Sequence, residues 1–313
     1  MSAADSLPRL PRLLATSVVR GARQGESHGG VYLIDFEERH VDQPIDWNAA
    51  DIDWQGRGWD RGLRGIAFGT DRTFIAASDE LFAYDPDFRR IGAWRSPYLK
   101  HCHEISRFED MLYLGSTGFD SVLAFDLRRE AFTWGLSLRR DGNRIALATF
   151  DPMGEKGPSP ANAFHLNSVF ADAGGLFLAG LRTPGLLRYG GKTLAMVATL
   201  PEGSHNARPF RDGLLFNDTS IDTVRYVTPS RQRSFRVPAY ADDQITHRDY
   251  EDGQVARRHF ARGLCPVSDT LIAAGSSPST VALHDLDANK TTMMVTLSND
   301  VRNAVHGLAL WPF

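Results

Sequence analysis

What this chain can fold into is constrained most by a repeat. A five-residue phrase ending in aspartate recurs as Val31 to Asp35 (VYLID), Leu81 to Asp85 (LFAYD), Val122 to Asp126 (VLAFD) and Val281 to Asp285 (VALHD). Weaker copies lie at Leu186 to Gly190 and at Val224 to Val227. Ahead of each copy stands another short run: Leu13 to Val19, Thr73 to Ser78, Met111 to Thr117, Leu176 to Leu181, Leu214 to Thr219 and Leu271 to Ser276. Both kinds of run are rich in β-branched and aromatic residues and bounded by Gly, Pro, Ser or Asp, which is strand chemistry. Sustained helical spacing is hard to find, so the chain reads as all-β.

A third phrase precedes each strand pair and begins with His or Arg. Its six copies start at Arg64, His103, His165, His205, Arg262 and His306. In the last five a large apolar residue follows five places on: Phe108, Phe170, Phe210, Val267 and Trp311. Successive copies are spaced at roughly the 40 residues that one four-stranded propeller blade takes, apart from two longer steps. The last copy stops one strand into its blade at Phe313, while Leu13 to Val19, Gly30 to Phe36 and His40 to Trp47 supply unclaimed strands at the other end. The expectation is a six-bladed β-propeller in a single domain spanning 1–313, closed by the C-terminal strand joining N-terminal strands in one blade. Closure of that kind removes the exposed edges of an open ring. The two longer steps become insertion loops, 139–164 and 241–261, both on the face where the innermost strands begin.

That geometry converges the six leading residues on the axis, near the channel entrance. The chain has 10 histidines, and His103, His165, His205 and His306 fall in this register. Three or four converging imidazoles suit one divalent transition metal, with Zn, Fe, Mn, Cu and Ni all open, and a three-His set leaves room for water or substrate. His306, where not a ligand, is placed as a general acid or base. Arg64 and Arg262 flank His306 and suit an anionic group on a substrate, with bidentate contacts; the alternative pairs each with a carboxylate of a neighbouring blade. Polar tips of the second strands, Arg182, Asn217 and Asp218 among them, are candidate substrate contacts or orienting partners. His101, two before His103, is a fifth imidazole or a supporting group. Asp35, Asp85, Asp126 and Asp285 close turns on the opposite face and read as structural.

Composition adds exclusions. Lys and Arg number 35 against 38 Asp and Glu, so no overall field pulls the chain toward nucleic acid or an anionic membrane. No apolar run approaches the roughly 20 residues of a membrane-spanning helix, and Met1 to Arg12 lacks a signal-type apolar core. The 2 cysteines, Cys102 and Cys265, make no disulfide framework. A cytoplasmic protein is expected. No phosphate-binding glycine loop, H-E-x-x-H or C-x-x-C motif is present.

The axial histidines resemble those of propeller enzymes that hold a catalytic metal with imidazoles from different blades: peptidylglycine amidating lyase, oligogalacturonate lyase and the carotenoid oxygenases. The resemblance is architectural. Ser204 to Gly213 (SHNARPFRDG) and the later Arg262-Gly263-Leu264 are similar to the H-S-P-R-W-x-x-G and R-G-L-A-F phrases of bacterial propeller proteins, with Asn206-Ala207 in place of Ser-Pro. This second likeness supports the fold and implies no reaction. The resulting expectation is a metal-dependent enzyme acting on a small anionic organic substrate, a lyase, hydrolase or isomerase before an oxygenase. The competing class is a non-catalytic propeller that binds a ligand, or a protein partner through its insertion loops.

Overall fold

The computed structural model describes residues 10–23, 25–48, 62–142, 144–249 and 258–313. It is a six-bladed β-propeller: six antiparallel sheets, five of four strands and one of five, built in chain order from the axis outward in all but the blade that closes the ring. The innermost strands of blades 1 to 5 are Ile66–Phe68, Cys102–Phe108, Leu166–Asp172, Ser204–Phe210 and Phe260–Pro266. Blade 6 is closed as expected. Its inner strand Asn303–Leu310 pairs with Leu13–Val19, from Leu13 opposite Leu310 to Val19 opposite Asn303, and Gly30–Asp35 and His40–Asp46 complete the sheet.

The core lies between blades, and strand alternation fills it. Every residue of Leu13–Val19 is buried, because successive side chains point to opposite faces and each face meets a neighbouring sheet. Leu13 packs with Ile34, Val281, Leu283 and Val305 toward blade 5. Leu14 packs with Val31, Ile75, Phe82 and Trp311 toward blade 1. Outermost strands lose the second neighbour, and Lys290–Thr296 is accordingly exposed at nearly every position.

The inserted segment 139–164 is not a simple loop. The outer strand of blade 2 continues through Ala131–Asp141, and Arg144–Phe150 pairs along it as a fifth strand. Ile145 and Leu147 alternate onto the apolar cluster shared with blade 3, which gives the hairpin a reason to form. The remainder crosses to the channel-entrance face, where Ala161 bridges Phe119. In the second insertion, Asp242–Gln244 form a short 3-10 turn, Thr246 bridges Asp300, and Phe260 and Ala261 already belong to the inner strand. Residues 250–257, including the acidic Glu251 and Asp252, lie outside the described residues. Among the described residues no helix is long and apolar enough to cross a membrane.

Candidate functional site: an alternating imidazole ring on the axis

Five of the six inner strands carry a register irregularity toward their channel-entrance end. In blade 2, Cys102 pairs with Ser116 and Ile105 with Leu114, so His103 and Glu104 together oppose Gly115. Blade 5 repeats this with Arg262 and Gly263 opposite Gly275, and blade 6 with His306 and Gly307 opposite Thr16. A bulge of this kind inserts a residue and re-aims its side chain. At Gly275 the glycine has a steric cause, since a Cβ there would run into the Arg262 carbonyl oxygen.

Counting along the paired strands places Arg64, His103, His205, Arg262 and His306 in equivalent slots. Blade 3 departs. Leu166 pairs with Gly180 and Ser168 with Ala179, so the slot belongs to Asn167, and His165 falls two residues upstream, level with His101. Both of these histidines have the same left-handed backbone, φ 53° and 54°. The expected equivalence of His165 with the other leading residues is therefore corrected. The ring reads Arg64, His103, Asn167, His205, Arg262, His306, with imidazoles on alternate blades. Asn167, missed from the sequence, had one signal: the residue two places beyond each slot is apolar (Ile66, Ile105, Val169, Ala207, Leu264, Leu308), whereas two beyond His165 is Asn167 itself.

The imidazoles share one orientation. Nδ1 of His103 lies 2.8 Å from the His101 carbonyl oxygen, Nδ1 of His205 2.9 Å from that of Gly203, and Nδ1 of His306 3.3 Å from that of Ala304. A carbonyl can only accept, so each Nδ1 carries the proton and each Nε2 presents a lone pair. Thr117 Oγ1 also lies 2.8 Å from His103 Nδ1. Nδ1 of His165 meets Asn162 Oδ1 at 2.9 Å. Two Nε2 atoms accept from guanidinium groups of the preceding blade: Arg64 Nη1 to His103 at 3.3 Å, and Arg262 Nη1 to His306 at 2.7 Å. The third slot lacks this match. Asn167 is short and donates from Nδ2 to the Ser204 carbonyl at 3.3 Å, and His205 Nε2, on a side chain only 3% exposed, has no hydrogen-bond partner among the described residues.

Burial first, then neighbouring positive charge, holds these histidines neutral. His103, His205 and His306 sit well below the usual imidazole range, and His165 is lowered to about 4. The guanidinium groups acting on them are those of Arg64, Arg262, Arg182 and Arg20. Arg20, in the turn just after the blade 6 strand Leu13–Val19, was not singled out by sequence. Its reach to His165, His205 and His306 follows from blade closure, and it has no counterpart in the repeat.

The other candidates sit around this ring. Asn217 is buried and donates from Nδ2 to Asn206 Oδ1 at 2.8 Å, one position beyond the His205 slot. Asp218 turns into its own blade and pairs with Arg225 at 2.8 Å. Arg182 is exposed and donates from Nε to the Ala163 carbonyl at 3.1 Å, fastening the insertion beside His165. Cys102 and Cys265 are buried free thiols pushed up to about 12 and about 11 by desolvation, so neither is a thiolate near neutrality.

Among the described residues no group of three or more His, Cys, Asp or Glu side chains is placed to share a metal ion. The ring explains this. His103 and His306 have their lone pairs engaged by guanidinium, His165 is out of register, and the surrounding arginines raise the energy of any added cation.

No protein-family model matches the chain, and comparison with curated proteins finds no significant sequence match. Solved structures do match. A chain of a nidogen/laminin complex superposes with a TM-score of 0.58 at 9% identity, over 95% of this chain and 97% of that one. A protein of unknown function from Bacteroides caccae does so with a TM-score of 0.54 at 10% identity, over 96% and 98%. At these identities the likeness shows the propeller fold alone.

Proposed function

We propose that the channel entrance is the active site of an enzyme acting on a small organic dianion, a dicarboxylate or a phosphate monoester. Arg64 and Arg262, with Arg20 nearby, supply the positive field that orients the anionic groups. His205 accepts a proton from the bound molecule at Nε2, which suits elimination, isomerisation or assisted hydrolysis. The observation that carries this reading is His205 itself: a buried, neutral imidazole with its Nε2 lone pair unmatched, in a ring where the two other slot imidazoles are matched by arginine. His103 and His306 hold the guanidinium groups in place. The test is calorimetry with malate, succinate, glycerol 3-phosphate and phosphoenolpyruvate, with Arg64→Met and Arg262→Met alongside. At least one dianion should bind the wild type and lose about tenfold in affinity in each variant; binding by none overturns the proposal.

A metal-dependent enzyme is the second reading, favoured by the tautomers. Nδ1 is committed to oxygen on all four histidines, which turns every Nε2 lone pair outward from its strand, as metal ligation requires. It needs Arg64 and Arg262 to withdraw from His103 and His306. Elemental analysis of untagged protein decides: one metal per chain that vanishes in a His103→Ala/His165→Ala double variant supports it, and metal unchanged in that variant sinks it.

A further inference from the structure

Beyond the ring, the inner strands line a second compartment with different chemistry. It encloses about 410 Å³, with His306 at one end and Phe68, Arg107 and Pro266 toward the opposite face. That volume falls in the range of small-molecule sites. Its walls come from inner-strand residues past the bulge, including Ile66, Ile105, Leu264 and Leu308, with the charged Glu104, Arg107 and Arg208 among them. The guanidinium of Arg208 stacks over the Phe170 ring at 4.0 Å. Stacking engages the flat face and leaves the in-plane N–H donors to point elsewhere. No hydrogen bond or ion pair engages those donors among the described residues, and the Nε atom is buried without a partner. The nearest carboxylates are committed: Glu104 accepts from Asn206 Nδ2 and from the Val169 amide at 3.0 Å, and Asp172 accepts from the Gly174 amide at 2.6 Å.

We propose that this compartment binds a small organic carboxylate with an apolar body, its carboxylate on Arg208 and its body against the aliphatic walls. The site is separate from the dianion site at the entrance, on the far side of the imidazole ring. Arg208 is half-buried, with its Nε cut off from solvent and unpartnered, which is costly, and a monoanion supplies the guanidinium with charge-assisted hydrogen bonds. The walls select an apolar body over a bare anion.

The test is calorimetric titration of the full chain with hexanoate, 3-phenylpropionate and acetate, repeated in Arg208→Met, Arg208→Lys and Arg262→Met. Hexanoate or 3-phenylpropionate should bind the wild type, with acetate at least about tenfold weaker. Arg208→Met should lose about tenfold or more, and Arg208→Lys should retain part of the affinity. Arg262→Met should leave it within about twofold, since that residue belongs to the entrance site. Absence of binding by both longer acids, equal binding of acetate, or unchanged affinity in an Arg208→Met protein that melts like the wild type would each overturn the assignment. A loss in Arg262→Met equal to that in Arg208→Met would place the acid at the entrance and likewise overturn it.

Discussion

The chain carries two rings of repeated residues, one at each end of the blades, and they differ in where their partners lie. At the far end Asp35, Asp126 and Asp285 each accept from two backbone amides of their own turn. Asp35 takes Glu37 and Glu38, both at 3.0 Å, and Asp285 takes Asp287 at 2.9 Å and Ala288 at 2.8 Å. At the entrance, Arg64 reaches His103 and Arg262 reaches His306 across blade boundaries, while His205 presents an acceptor that nothing described fills. Recurrence alone marks both rings equally. Local satisfaction identifies the aspartates as turn chemistry, and the cross-blade, incomplete partnership sets the imidazole ring apart and supports the proposed site.

The comparison is tested most severely by Asp120, a fully buried carboxylate whose partners are neither local nor incomplete. It accepts from the amides of Ala163, Phe164 and Leu166, tying blade 2 to the strand entrance beside His165. Asp120→Ala strands those three donors and should cost about 3 kcal/mol or more in urea unfolding. A cost no greater than that of a turn aspartate would erase the distinction between local and cross-blade partners.

Acid is the next lever. An imidazole free in the unfolded chain titrates near 6.5, whereas folded His165 and His284 titrate near 4, with His103, His205 and His306 also well depressed. Between those values the unfolded state binds more protons, so stability is present above the unfolded value and is lost as pH falls from 6.5 toward 4. Glu104 acts oppositely: burial raises it from 4.5 to about 7, so its contribution is lost as pH rises through that range. One carboxyl stands against five imidazoles, and the melting temperature should fall from pH 7 to pH 5. His165→Gln should flatten that slope. A melting temperature that rises on acidification would contradict the neutral ring.

Asp285→Ala removes two turn hydrogen bonds and should cost about 1 kcal/mol, with dianion affinity at the entrance unchanged in calorimetry. Thr117→Val, which also removes the hydroxyl donated to the Leu166 carbonyl of blade 3, should cost about 1 kcal/mol. It deletes one of the two oxygens on His103 Nδ1, and nitrogen chemical shifts of the ring report any loss of the tautomer.

The blade count, the split closure and the existence of an axial ring were legible because all three follow from repeat spacing and strand alternation. The register inside blade 3 was not. A bulge changes how many residues precede the aligned ladder, so His165 stood in sequence where Asn167 stands in space. Arg20 escaped because it belongs to the seam, and the fifth strand of blade 2 escaped because a hairpin extension looks like a loop until its alternating Ile145 and Leu147 find a neighbouring blade. Arg208 read as part of a phrase in blade 4, and only the cavity reveals what it faces.

The seam in blade 6 has a kinetic consequence. Ladder pairs such as Leu14 with Ala309 and Leu13 with Leu310 join opposite ends of the sequence, so they carry the largest loop-closure entropy in the molecule. Contacts of such separation form late in folding. His306 arrives on that last strand, and Arg262 has no imidazole acceptor in blade 6 until it does. Assembly of the axial ring then waits on closure of the seam: until Asn303–Leu310 docks, the faces of the adjoining blades stay uncovered, and formation of the Arg262–His306 hydrogen bond reports ring closure rather than blade formation.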